Sequence, residues 1–280
     1  MRRATMVTMK RAAAVVLVVA ACGPGGTKAT VGNQPAPGLA VTLAYARDAF
    51  VGRWHLQSTA KTTPASQISM DVTAFVDLRF AVAVGQLDVF VERVALKGTA
   101  GGRTIEIDLT KDAPAALDVF STPLHTLRLS ARGPEGGTSN PRNPMGAQGT
   151  GFLESVQFMI PALPDGPVAI GATWTAARVV PKASNAGPPI SADVHFRLAA
   201  LEPCPGRAAA RCARISFQAD TGGRDFEVDG APTHVEYRFD GQGVIEIGGA
   251  LLSSRSTMTF TIDTGGTTMI GAGTITYAPR

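Results

Sequence analysis

The chain has 280 residues, with 26 Lys and Arg against 22 Asp and Glu, 31 Gly, 19 Pro and only 6% aromatic residues. Four of the basic residues, Arg2, Arg3, Lys10 and Arg11, stand in the first 21 positions, where there is no acid, so the remainder carries 22 basic residues against 22 acidic ones. That balance, with no basic run and no basic patch interleaved with aromatics, excludes the electrostatic footprint of a nucleic-acid binder.

The first element is the apolar run Ala12–Ala21. A membrane-spanning helix needs about 20 apolar residues, and this run has half that. Basic residues before it and small residues at its end make the pattern of a secretory signal. Its last residues, Val19-Ala20-Ala21-Cys22, resemble the lipobox of bacterial lipoproteins. The resemblance implies that residues 1–21 are removed and that Cys22 is diacylated, bearing diacylglycerol and palmitate-type chains. An ordinary signal cut after an A-x-A-like site would instead leave Cys22 a free thiol. MKRAAAVVLVVAAC from Met9 is itself a complete short signal, and Met6 begins a slightly longer one, so the start is expected at Met1, Met6 or Met9. Residues 22–38 are rich in Gly, Pro and small polar residues and read as a flexible tether. Two acyl chains anchor stably where one is marginal. The expected place is therefore the bacterial cell envelope. By the same resemblance, Gly23 after the lipidated cysteine favours the outer membrane, facing the periplasm or the surface.

Residues 39–280 are long enough to bury a full core and are written in period two. Trp54 and Leu56 alternate with Arg53, His55 and Gln57. Every even position from Ile68 to Val84 is apolar, too long a run for one flat strand, so it must curve, coil or break. Leu87, Val89 and Val91 alternate, then the phase slips to Val94 and Leu96, which predicts a bulge near Glu92 and Arg93. Ile105, Ile107 and Leu109 follow, then Leu127 and Leu129. Later runs carry Val194, Phe196 and Leu198; Ile215 and Phe217; Val235, Tyr237 and Phe239; Met258, Phe260 and Ile262; Ile275 and Tyr277. Gly-rich turns separate them. The prediction is an all-β antiparallel meander of ten to fourteen strands, forming a curved sheet, a half-barrel or a sandwich. One short helix is expected near 150–160, where Phe152, Val156 and Ile160 share a helical face before Pro161.

Two related halves, 39–132 and 150–280, joined by loop 133–149, are an alternative organisation. GRWHLQSTA is answered by GATWTAARVV, with Trp54 and Trp174 120 positions apart. VDLRFAV at Val76 is answered by VHFRLAA at Val194, 118 positions on. Cys204 and Cys212, in an oxidising compartment with seven residues between them, are expected to form a disulfide. The segment PALPDGPVAIGATW, Pro161–Trp174, together with the lipobox and the β-rich layout, resembles uncharacterised β-rich bacterial envelope lipoproteins. No catalytic residue comes with that resemblance.

Chemistry is sparse. The sequence contains no G-x-S-x-G elbow, H-E-x-x-H, P-loop or EF-hand loop. His55 and His195 fall on polar phases and His125 on an apolar one, while His234 could meet Asp225, Asp229 or Glu236 as a weak metal candidate. Carboxylate pairs such as Glu106 and Asp108 share a solvated face. No enzyme, cofactor or metal is expected. The reading is a membrane-anchored binding or scaffolding protein. Its β domain would sequester a lipid or other apolar ligand, with Val72, Val76, Leu78, Phe80, Phe196, Tyr237 and Phe260 as lining or core candidates. The alternative is a solid core with no small ligand and an envelope protein as partner.

Overall fold

Sheets cover one apolar face per strand, and with almost no helix to help, this sheet must curve over itself. The computed structural model of the chain describes residues 30–31, 40–46, 49–63, 70–83, 86–112, 121–143, 160–180, 190–228 and 230–279. They form fourteen strands and one helical turn. The first half holds β1 (Thr30–Val31), β2 (Gly52–Thr63), β3 (Met70–Ala83), β4 (Gln86–Ala100), β5 (Arg103–Asp108), α1 (Leu109–Asp112), β6 (His125–Ser130) and β7 (Gly133–Ser139). The second holds β8 (Thr173–Val180), β9 (Ile190–Cys204), β10 (Arg207–Asp220), β11 (Arg224–Val228), β12 (Ala231–Glu246), β13 (Leu251–Thr264) and β14 (Thr267–Pro279).

All belong to one antiparallel sheet in the order β1-β8-β9-β10-β12-β13-β14-β2-β3-β4-β6-β7, with β11 beside β12 and β5 beside β4. The path ends at β1 and β7, so the sheet is a curved meander and not a closed barrel. The two halves of the chain share this sheet, because β14 pairs with β2 from Thr268 opposite Thr63 to Pro279 opposite Gly52. The expected bulge is present: Asp77 pairs with Arg93 and Leu78 with Val91, leaving Glu92 as the extra residue.

Three expectations change. Thr30 and Val31, inside the expected tether, pair with Thr175 and Trp174 of β8. An open sheet edge offers unpaired amides and carbonyls, and two β-branched residues suit it. The expected loop 133–149 begins as a strand, β7, whose glycines read as turn signals. They serve close approach: a Cβ on Gly137 would lie 2.7 Å from both Leu127 Cδ2 and Thr126 O. Leu109, expected to continue a strand, opens α1. The helix expected near 150–160 falls outside the described residues, apart from Ile160.

The inward phases of the strands form one contiguous core with Trp54, Leu78, Leu127, Trp174, Phe196 and Ile215 among its members. Two irregular segments plug one end of the concavity. Leu43, Tyr45, Ala49 and Phe50 are buried there, as are Ile160, Ala162 and Leu163. Their backbone groups find partners on the strand-connecting turns, as a buried coil must. Tyr45 N donates to Ala131 O at 2.7 Å, Leu163 N to Arg132 O at 3.0 Å and Ala46 N to Gly249 O at 2.9 Å. Tyr45 Oη donates to Pro161 O at 2.9 Å, and Trp174 Nε1 donates to Ala162 O at 2.6 Å. The Cys204–Cys212 disulfide clamps the β9–β10 hairpin at this same end, with Cα atoms 5.0 Å apart.

Candidate ligand-binding face

Away from the plug the concave face is less covered. On β2 the inward phase runs from buried Trp54 to half-buried Leu56, Ser58 and Ala60. Ala74 of β3 pairs with Leu96 of β4, and both are half-buried. Leu96 pairs in turn with Ile107, which is 36% exposed. Phe260 and Met269 complete this surface from β13 and β14, and both are half-buried against the core. The strands thus leave an apolar wall with partial access at the end opposite the plug.

Register explains the shape of that wall. Phe260 lies between Tyr237 and Gly271 in adjacent strands. A Cβ on Gly271 would overlap the Phe260 ring, so the ring lies flat over the glycine. Phe217 does the same to Gly241. An aromatic ring covering a cross-strand glycine restores burial that the missing side chain forfeits. Tyr237 packs on Phe260 with ring centroids 6.1 Å apart. Deeper in, Trp54 packs on Tyr277 at 4.7 Å, and its indole Nε1 is sealed without a hydrogen-bond partner.

One cation belongs to the inward phase. On β8, Trp174 and Ala176 are buried, and Arg178 is next in alternation, paired with Ala192 of β9. Arg178 keeps part of its surface, but its Nε is sealed from solvent and has no hydrogen-bond partner. Burial lowers its pKa to about 10, offset in part by the neighbouring Tyr45. Burial likewise raises the Tyr45 phenol well above the ordinary tyrosine value, and the Arg178 charge opposes that rise.

The outer face is polar. Arg53 bonds Glu92, Arg93 bonds Asp108 and Arg214 makes a two-pronged contact with Glu202. Glu106 faces Lys97 at 3.9 Å. His55 Nδ1 meets Asp77 Oδ1 at 2.5 Å, His195 Nδ1 meets Thr175 Oγ1 at 3.2 Å and His234 Nδ1 meets Asp225 Oδ1 at 2.6 Å. A shallow groove of about 370 Å³ lies between Thr173, His195, Arg197, Ser216, Gln218 and Asp240. Among the described residues, no three His, Cys, Asp or Glu side chains come together as metal ligands.

Of the lining candidates read from the sequence, Val72, Val76, Leu78, Phe80, Phe196 and Tyr237 are buried in the core, at 8% exposure or less. Phe260 alone of that set keeps half-buried surface on the accessible wall. His125 is fully buried, as its apolar phase predicts. Cys22 lies outside the described residues. Arg178 was not singled out by the sequence reading, although the alternation from Trp174 places it on the inward phase. No family model, curated protein or solved structure matches the chain.

Proposed function

We propose that the protein is a bacterial cell-envelope lipoprotein, anchored through acylated Cys22, whose β domain is a non-enzymatic binder of a lipid or other apolar ligand. The observation that carries the binding reading is the unequal filling of the concave face. One end is plugged by Leu43, Tyr45, Ala49 and Phe50 together with Ile160–Leu163, while the wall of Leu56, Ala74, Leu96, Phe260 and Met269 remains half-covered. Apolar surface held partly accessible costs free energy, roughly 25 cal/mol per Å², and a sequestered hydrocarbon recovers it. The signal, Cys22 and the resemblance to envelope lipoproteins support the anchored location, facing the periplasm or the surface.

The test is mass. The full chain, purified from envelopes in a neutral sugar detergent, is weighed by native and then by denaturing mass spectrometry. A mass excess lost on denaturation supports sequestration, and a denatured mass above that of residues 22–280 by the acyl chains supports anchoring. Equal masses equal to the bare chain refute both. The second reading, a solid-core scaffold for an envelope protein, draws on the plug itself, since the segment Ile160–Leu163 is almost entirely out of solvent.

A further inference from the structure

The direction of β1 fixes the side from which the N-terminal anchor arrives. β1 is antiparallel to β8, with Thr30 opposite Thr175 and Val31 opposite Trp174. β8 runs away from the plug: Trp174 near its start bonds Ala162 O, and Val180 is its last residue. The chain therefore enters β1 from the end of the sheet opposite the plug. Cys22 stands eight positions before Thr30. An extended chain covers at most about 3.5 Å per position, so Cys22 lies within about 28 Å of Thr30. Along the hydrogen-bonded rows, Thr175 connects through His195, Gln218, Asp240 and Thr257 to Thr274 of β14. From Thr274 toward the unplugged end, Ile270 is four residues away, about 13 Å. Toward the plug, Pro279 is five residues away, about 17 Å. To go that way the chain must first reverse. A reversal spends about four residues on a turn, and the rest spans about 14 Å, short of Pro279. An acyl anchor on Cys22 thus holds the unplugged end, not the plug, toward its bilayer.

That end carries apolar surface on both phases of the sheet. Ile270, on the outward phase of β14, is 53% exposed and lies between Thr261 and Lys61 of the adjacent strands. Met269 beside it is half-buried. On β5, Ile107 is 36% exposed and Ile105 half-buried. Charges at this end are opposed: Lys61 stands across from Asp71, and Lys97 faces Glu106. The rim therefore offers a surface hydrocarbon contact more than net charge, and exposed isoleucine regains burial when it enters the acyl boundary of a bilayer. Val51 and Ile170 are comparably exposed but precede β2 and β8, at the plugged end.

We propose that the unplugged rim, with Ile270 and Ile107 as its apolar contacts, docks on the lipid surface that holds acylated Cys22. This rests on the anchored reading and adds an orientation to it. The acyl chains supply the attachment, and the rim sets which end of the sheet faces the lipid. The half-covered wall then stands close to the bilayer. Ser58, Ala74 and Leu96 share the row of Gly273, three residues from Ile270, about 10 Å along the strand.

The experiment places an environment-sensitive fluorophore on Lys61→Cys or on Ile170→Cys in the full chain. Each protein is purified from envelopes in a neutral sugar detergent and reconstituted into dioleoyl phosphatidylcholine vesicles, with and without a doxyl-labelled lipid as quencher. Both positions are exposed, so neither label disturbs the core. Doxyl lipid should quench the label at Lys61→Cys and spare the label at Ile170→Cys. Ile270→Ser should cut the quenching at Lys61→Cys by about twofold or more, and it should melt like the parent because its side chain is already half in solvent. Ile107→Ser, on a different strand, should do the same, so a folding defect in either variant leaves the other to decide. Equal quenching at both labels, or stronger quenching at Ile170→Cys, overturns the orientation, and flotation of the protein with the vesicles then leaves anchoring standing. Absence of quenching at both labels in a floating protein overturns docking. Quenching at Lys61→Cys that survives both serine variants overturns the apolar contact. A parent chain that does not float with the vesicles overturns anchoring through Cys22, and docking with it.

Discussion

Gly271→Ala perturbs the wall at its tightest point. The new methyl would overlap the Phe260 ring, which pairs directly with this position. The ring must turn off the glycine, or the strands must part. Overpacking of this kind costs about 1–3 kcal/mol, and the lower backbone entropy of alanine returns about 0.5–1 kcal/mol. The net expectation is a loss of about 0.5–2 kcal/mol. Phe260→Leu alone should cost about 1 kcal/mol, because the ring is half-buried and a branched aliphatic keeps some contact. In the double variant the methyl occupies space that the ring has left, so the two losses should not add. A coupling of about 1 kcal/mol is expected, well above the few tenths found between independent sites. The assay is urea unfolding followed by the fluorescence of Trp54 and Trp174, both 1% exposed in the fold. Additivity within about 0.3–0.5 kcal/mol would refute the reasoning, because it would mean that ring and glycine do not share space.

Replacing Cys204 and Cys212 together by alanine should cost about 2–3 kcal/mol, since the bridge closes a short loop across a sequence separation of 8; a urea midpoint unchanged from the parent would count against it. Burial raises the Tyr277 pKa to about 12, above that of an unfolded tyrosine. Stability from its neutral phenol is therefore complete below about pH 10 and is lost as pH rises toward the folded value. Phenolate absorbance should show this late step, and Tyr277→Phe should remove its share and leave that of Tyr45, which burial also raises. Burial alone would raise the Asp108 carboxyl, but the hydrogen bond and charge of Arg93, the Thr110 amide and the Lys111 charge outweigh it and hold the pKa low. The ion pair's stabilisation is thus present above the ordinary carboxylate range and lost as pH falls through the lowered value. In a carboxyl NMR titration, Arg93→Gln should move Asp108 upward.

Much of the architecture was legible because alternation is a local signal. The even positions from Ile68, the phase slip at Glu92 and the apolar phase of His125 are each decided by neighbours two residues away. What escaped the reading depends on residues far apart in sequence. Nothing near Thr30 announces that an edge of β8 is waiting 145 positions later for Thr175. The glycines at 133, 136 and 137 spell a turn until Leu127 is placed against one of them. The plug is equally non-local, since Tyr45 and Pro161 meet by a single hydrogen bond across 116 positions. For the wall, the sequence supplied apolar candidates but not their exposure. Phe260 and Phe196 carry the same pattern, and only the curvature of the sheet leaves one half-covered and the other sealed. Arg178 was readable by phase alone; the sealing of its Nε was not.

The seam between β14 and β2 has a consequence for how the chain acquires its shape. Among the described strands, β14, which joins the two halves, comes last in chain order, and its partner β2 is the first of the long ones. Until Thr267–Pro279 is available, β2 and β13 are both raw edges with open hydrogen-bonding rows. Removal of β14 would leave two curved ribbons with open edges, prone to pairing with other copies. Closing the seam requires β14 to pair with a strand more than 200 residues upstream, a long-range contact of the kind that slows folding.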